Sequence, residues 1–285
     1  MIKCEKITAI IIFSLLVFFT PESGFPIEIS NPLFTQGITN SGHSGLLSTK
    51  GGTSIAPGKL IVGIFTNYFD RDFSAGASEK VVKVPITLTY GLPYHIEVAG
   101  RISYSSLENS SKESGLSEGG ISLKWSFLQK EGMSYPSFAA GISSNFAMAG
   151  KNKGLSDFSS YNLVFFLSGS GLIDFGPYHE YAFSLYGEGR AVLNDLGETD
   201  KEEHGVLSAG ALFPLTFYPD LGFFIEATGT VNRGFGRNKD FIRVTPAFRL
   251  KLRRASFTAG TSYVHPNQDD QDSYFEYTLS LTMGF

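Results

Sequence analysis

Five histidines, His43, His95, His179, His204 and His265, are where acid–base or nucleophilic chemistry would have to rest. His204 follows Glu202 and Glu203, and His265 precedes Asp269, Asp270 and Asp272. Such acid–histidine clusters can activate water or weakly hold a divalent cation, including calcium bridged to lipopolysaccharide, but ordinary solvated loops have the same composition. No Ser and His fall at matched positions on neighbouring segments, and no HExxH, GxSxG or Walker pattern occurs. The lone cysteine, Cys4, precedes an apolar run, so a chain processed beyond that run has no thiol for a disulfide, a nucleophile or a metal. Gly187 and Gly189 in LYGEGRAV interrupt an alternating pattern with no helix after them, which indicates a bulge or close packing of strands and not a phosphate loop. These residues point to no enzyme, cofactor or metal site.

A second set of charged residues stands out by its spacing. Glu97, Arg101, Lys124, Glu188, Arg190, Glu226, Arg243 and Arg249 each fall opposite an apolar row in a period-two pattern, as do Lys83, Glu180, Lys251 and Glu276. Folding the chain as hairpins brings Lys124 toward Glu97 and Arg101, and Arg243 and Arg249 toward Glu226. Charges enclosed on such a face must be paired or hydrated. They form either braces within a wall or a constriction that selects solutes by charge.

The segments that carry these charges are strands. From Leu60 onward about twelve stretches alternate apolar with polar or small residues, as in Leu60, Val62, Ile64, Thr66 and Tyr68, or Ile121, Leu123, Trp125 and Phe127. Short connections such as GLPY and YPDLG alternate with longer polar ones such as FDRDFSAGASEK, ENSSKESGLSEGG, NDLGETDKEEH and HPNQDDQDS. Aromatics gather near strand ends, with Tyr90, Tyr94, Phe127, Tyr178, Phe217 and Phe223 on the short-turn side. Tyr68, Tyr104, Tyr161, Tyr263 and Tyr274 gather on the long-loop side. Aromatic residues make up 14% and charged residues 18%, a balance that favours strands facing two media. The net charge of −4 comes without a basic stripe, which argues against a nucleic-acid partner. Pro85, Pro214 and Pro246 interrupt the strands and predict local bulges.

The last stretch, YFEYTLSLTMGF, places Tyr277, Leu279, Leu281, Met283 and Phe285 on one face. This pattern resembles the closing strand of bacterial outer-membrane β-barrels. In that family this strand is what the barrel assembly machinery recognises for insertion. The resemblance implies an all-β fold: a closed antiparallel transmembrane barrel of about twelve strands, surrounded by outer-membrane lipid and lipopolysaccharide.

The predicted organisation is a signal peptide over residues 1–24, with Lys3 and Lys6 before an apolar run too short to span a bilayer. Residues 25–57, rich in Gly, Ser, Thr and Asn, form a periplasmic leader or a lumenal plug, and their GLLST stretch could add to a sheet. Residues 58–285 form the barrel. About twelve strands enclose a narrow lumen, between the filled interior of eight and the wide channel of sixteen. Small inward residues such as Ser122, Ser143, Thr258 and Ser280 predict an open bore, and inward Phe166, Tyr186 and Phe224 predict partial obstruction or an aromatic surface. The expected function is passage of a small solute; the alternative is a surface, structural or ligand-binding barrel, with an outer-membrane hydrolase less favoured.

Overall fold

The computed structural model describes residues 37–72, 78–109, 111–129, 136–148, 155, 161–173, 183–194, 202–215, 218–232, 241–252, 254–266 and 272–285. The expected signal peptide, His179, Glu180, Tyr178 and Phe217 lie outside them. Two short strands, β1 (Gly37–Ile38) and β2 (Ser44–Gly45), pair with each other, and twelve long strands follow. These are β3 (Leu60–Asp72), β4 (Ser78–Leu92), β5 (Ile96–Glu108), β6 (Lys112–Leu128), β7 (Ser137–Ala147), β8 (Tyr161–Ile173), β9 (Phe183–Asn194), β10 (Glu202–Leu215), β11 (Tyr218–Asn232), β12 (Phe241–Leu252), β13 (Ala255–Pro266) and β14 (Tyr274–Gly284). Each pairs antiparallel with its chain neighbours, and β14 pairs with β3, so the sheet closes without an edge. At the seam, Phe285 donates its N–H to the Leu60 carbonyl at 2.8 Å and accepts the Leu60 N–H at 3.2 Å.

Alternation decides which face looks outward. Ile121, Leu167 and Leu207 are 64, 64 and 67% exposed, while Phe65, Glu97, Lys124 and Glu226 on the other face are buried. An apolar exterior around a polar interior is the reverse of a sandwich, whose apolar rows meet in a dry core. Aromatics cover both rims. Phe183, Phe213 and Phe223 stack in sequence across β9 to β11 on the short-turn side, and Phe223 meets Phe248 of β12 at a tilt. On the loop side Tyr68 stacks on Tyr277 and Tyr263 meets Phe275. Tyr274 departs from the expected rim: it points inward, lines the lumen and meets Phe69.

The prolines behave differently from one another. Pro214 sits at a register shift between β10 and β11, as a bulge requires. Pro85 stays in register with Ser103 and Pro246 with Ile225, and at each the ladder to the other neighbour is interrupted without slipping. A missing N–H removes a ladder bond on one side only, so a closed sheet tolerates it without a bulge. A bulge absent from the sequence reading lies at Ser117, where β6 shifts against β5. Its hydroxyl donates to the Ser103 carbonyl at 3.1 Å, which brings Ser117 and Glu118 both to the inner face. The ENSSKESGLSEGG stretch, expected as a loop, is mostly strand, because β5 runs to Glu108 and β6 starts at Lys112.

Candidate functional site

The lumen is occupied on its short-turn side by residues 37–57 of the same chain, a plug. This segment is too polar to build a core of its own, and its coiled backbone leaves N–H and C=O groups that a buried position must satisfy. Some bonds are internal: Thr39 N–H donates to His43 O at 2.7 Å, Leu46 N–H to Thr49 O at 3.0 Å, and Gly51 N–H to Ser44 O at 2.8 Å. The rest come from the wall: charged residues, acids serving N–H groups and bases serving carbonyls, and the uncharged Thr89, Gln129, Ser168 and Ser170.

Glu226 on β11 receives three consecutive backbone N–H groups, Leu47 at 3.1 Å, Ser48 at 3.1 Å and Thr49 at 2.9 Å, together with the Ser48 hydroxyl. A run of N–H groups converging on one carboxylate is an anion nest built by a turn. Arg249 on β12 donates to the carbonyls of Gly45 at 3.2 Å and Leu46 at 3.0 Å. Lys124 on β6 donates to Thr53 O at 2.7 Å and to Ser44 Oγ at 2.5 Å, and lies 3.0 Å from Glu97. Glu97 on β5 in turn accepts from Ile55 N–H at 2.6 Å and lies 2.7 Å from Ser44 Oγ and 3.3 Å from His43 Nδ1. Glu188 on β9 takes both the Lys50 N–H at 2.9 Å and Lys50 Nζ at 2.6 Å, and that ammonium sits 4.3 Å from the Phe166 ring centre.

A small apolar cluster completes the seat. Ile38, Leu46 and Leu47 pack with Phe65, Tyr186, Phe224 and Ala247 of the wall. The GLLST stretch adds to no barrel strand: it supplies these leucines and the turn held by Glu226. Phe166, Tyr186 and Phe224 are covered by the plug and offer no free aromatic surface, and small inward residues such as Ser168 and Ser170 accommodate and bond it. Gly42 adopts φ of 94°, and a Cβ on Gly52 would lie 1.9 Å from the Ser137 carbonyl oxygen.

The expected pairs divide. Lys124 meets Glu97, but Arg101 bonds Glu118 at 2.9 Å, a partner the hairpin folding did not suggest. Arg243 meets Glu276 at 2.9 Å and not Glu226, and Arg249 and Glu226 both turn to the plug. Sequence alone missed Lys50 and the contact of His43 with Glu97, because no period marks residues in a coil; Lys50, the one lysine among residues 37–57, was the available signal.

Above the plug, on the loop side, lies a cavity of about 730 Å³. Asn40, Ser41, Ser48 and Lys50 of the plug form part of its lining, and Arg101, Glu118, Arg190, Arg243 and Glu276 stand on its walls. Of the histidines, His43 is buried beside Glu97 with no solvent exposure, His95 lies in a short turn with φ of 59°, His204 lines the cavity, and His265 bonds Ser273 at 2.7 Å. Among the described residues no acid–histidine group has metal-binding geometry.

No family model matches this sequence, and no curated protein matches it either. Solved structures do match its shape. An outer membrane channel from Pseudomonas putida F1 superposes with a TM-score of 0.59 at 10% identity, covering 82% of this chain and 97% of that one. The NanC porin gives 0.51 at 10% identity over 78% of this chain and 98% of its own. The β domain of the Bordetella autotransporter BrkA gives 0.50 at 12% identity over 79% and 98%. The chain therefore has the fold of bacterial outer-membrane β-barrels, carried by strand pattern and closure with almost no shared sequence.

Proposed function

We propose that this chain is a non-enzymatic outer-membrane channel for small solutes whose bore is gated by its own N-terminal segment. The observation that carries the reading is the kind of bond that seats the plug. Most are hydrogen bonds from wall side chains to plug backbone, joined by the ion pair of Lys50 with Glu188, the contact of His43 with Glu97 and one small apolar cluster. Water can replace such bonds when the segment leaves, whereas a large apolar interface would be costly to expose. The wall the plug would vacate carries Glu97, Lys124, Glu188, Glu226 and Arg249, so it would be a hydrated, charged constriction. On this reading residues 1–24 are the export signal, and Tyr277, Leu279, Leu281, Met283 and Phe285 are the pattern read by the assembly machinery. Shape likeness to a channel and a porin supports the reading.

The plug also favours a second reading, a sealed barrel whose loop-side cavity holds a ligand. Swelling of liposomes containing the refolded chain separates the two. Uptake of small solutes that declines with solute size supports the channel; impermeability to all of them, with or without residues 25–57, supports the sealed barrel.

A further inference from the structure

The cavity above the plug carries its charge unevenly. Glu118 accepts from Lys83 at 2.7 Å and from Arg101 at 2.9 Å. Glu188 lies 2.6 Å from Lys50 and 3.4 Å from Arg190. Glu188 thus divides one negative charge between two cations, and a positive surplus is left on the Arg190 side. The side chains of Arg101 and Arg190 are 19 and 21% exposed, so part of each guanidinium is reached from the cavity while its Nε is buried. A guanidinium has five N–H donors in a fixed fork, suited to a planar carboxylate.

Beside this surplus lies an apolar patch. Arg190 stands in register with Val206 on β10. Two residues toward the loop end, Val192 stands opposite Val164 on β8. All three valines line the same cavity. An inorganic anion would leave that patch uncovered, and a neutral apolar molecule would leave the surplus charge unanswered. A compact apolar body bearing one carboxylate meets both, in a cavity of the size that small-molecule sites have.

We propose that the loop-side cavity is a binding site for a small organic carboxylate. Its acid group faces Arg190 and Arg101, and its apolar part lies on Val164, Val192 and Val206. This rests on the reading of the lumen as a solute path, but binding here requires no conduction.

The test is calorimetric titration of the refolded chain, residues 25–285 in detergent, with benzoate as probe and benzyl alcohol and benzylammonium as comparisons. Saturable benzoate binding is expected, weakened roughly tenfold or more by Arg190→Gln and by the two comparison probes, and several-fold by Val206→Ser. Variants are scored only when they keep the heat-modifiable migration of a folded barrel, and Arg101→Gln replaces Arg190→Gln should the latter not fold. Absence of saturable benzoate binding, equal binding of benzylammonium, or unchanged affinity in the folded arginine variant would overturn the proposal. Benzoate binding in a barrel that never conducts would sink the channel and leave the site. Conduction without benzoate binding would do the reverse.

Discussion

Glu97 and Lys124 face each other in register across β5 and β6, 3.0 Å apart, with neither side chain reaching solvent. The wall alone would leave them in a lumen; the plug is what encloses them, since Ser44, Thr53 and Ile55 occupy their remaining bonding positions. Breaking such a pair on one side leaves a buried charge, a loss of about 3–5 kcal/mol. Glu97→Gln should therefore release residues 37–57 to a protease that leaves the parent barrel intact, and Glu97→Gln with Lys124→Met should release them less. Equal resistance in the parent and the single variant would refute this role.

Glu226 gathers three plug N–H groups and should be the most sensitive acceptor in the seat. Bonds to an ionised group contribute about 1.5–3 kcal/mol each, and a neutral amide oxygen forfeits part of that. Glu226→Gln is expected to raise the open probability of single channels without altering thermal unfolding of the barrel. An unchanged open probability would show that the nest does not hold the gate.

Gly52 separates steric from electrostatic seating. Any side chain there meets the Ser137 carbonyl, which belongs to the wall ladder and cannot yield. Gly52→Val should expose the plug to proteolysis while the barrel keeps its heat-modifiable migration. Full protection of the plug in this variant would contradict the seat described.

His43 belongs to the plug and not to a membrane-crossing strand, and burial lowers its pKa to about 4 against the bonding pull of Glu97. Because the docked value lies below the ordinary 6.5, the undocked state takes the proton first. Docking is therefore at full strength above about pH 6.5 and weakens as pH falls toward 4, by about 3 kcal/mol in all. Hydrogen exchange of residues 37–57 should accelerate between pH 6.5 and 4.5 beyond its intrinsic dependence, and His43→Gln should flatten that trend. Parallel profiles in the two proteins would exclude His43 as the cause.

The outward rows are tested by charge. Leu279→Arg on β14 places a cation among lipid-facing residues, where it costs about 2–4 kcal/mol at mid-depth. Thr278→Arg, one residue away, points inward. The first should reduce membrane insertion of the chain and the second should not; insertion equal in both would contradict the assignment of faces.

How much of this the sequence carried follows from periodicity. The rows from Leu60 to Phe285 repeat every second residue, so strand number and the inward set could be read from spacing, whereas closure was implied by the resemblance of the last strand to those of outer-membrane barrels. Register is also local: Lys124 meets Glu97 because β5, which ends at Glu108, and β6, which starts at Lys112, are consecutive strands of one hairpin. Arg243 and Glu276 lie on β12 and β14, two strands apart, so no single hairpin register joins them. The plug was legible only as an open choice for residues 25–57. Its bonds run from backbone to side chains up to 204 residues away, and no spacing rule records such a contact. The lumenal charges were seen but their partner was not, because a coil presents N–H and C=O groups that leave no mark in the sequence.

Single-channel recording in a planar bilayer, comparing the chain of residues 25–285 with one that begins at Gly58, tests the gated pore most directly. The longer chain should be closed or show brief openings, and the shorter should conduct steadily, with an ion preference altered by Glu226→Gln or Arg249→Gln. Silence in both chains, or identical steady currents in both, would contradict the account.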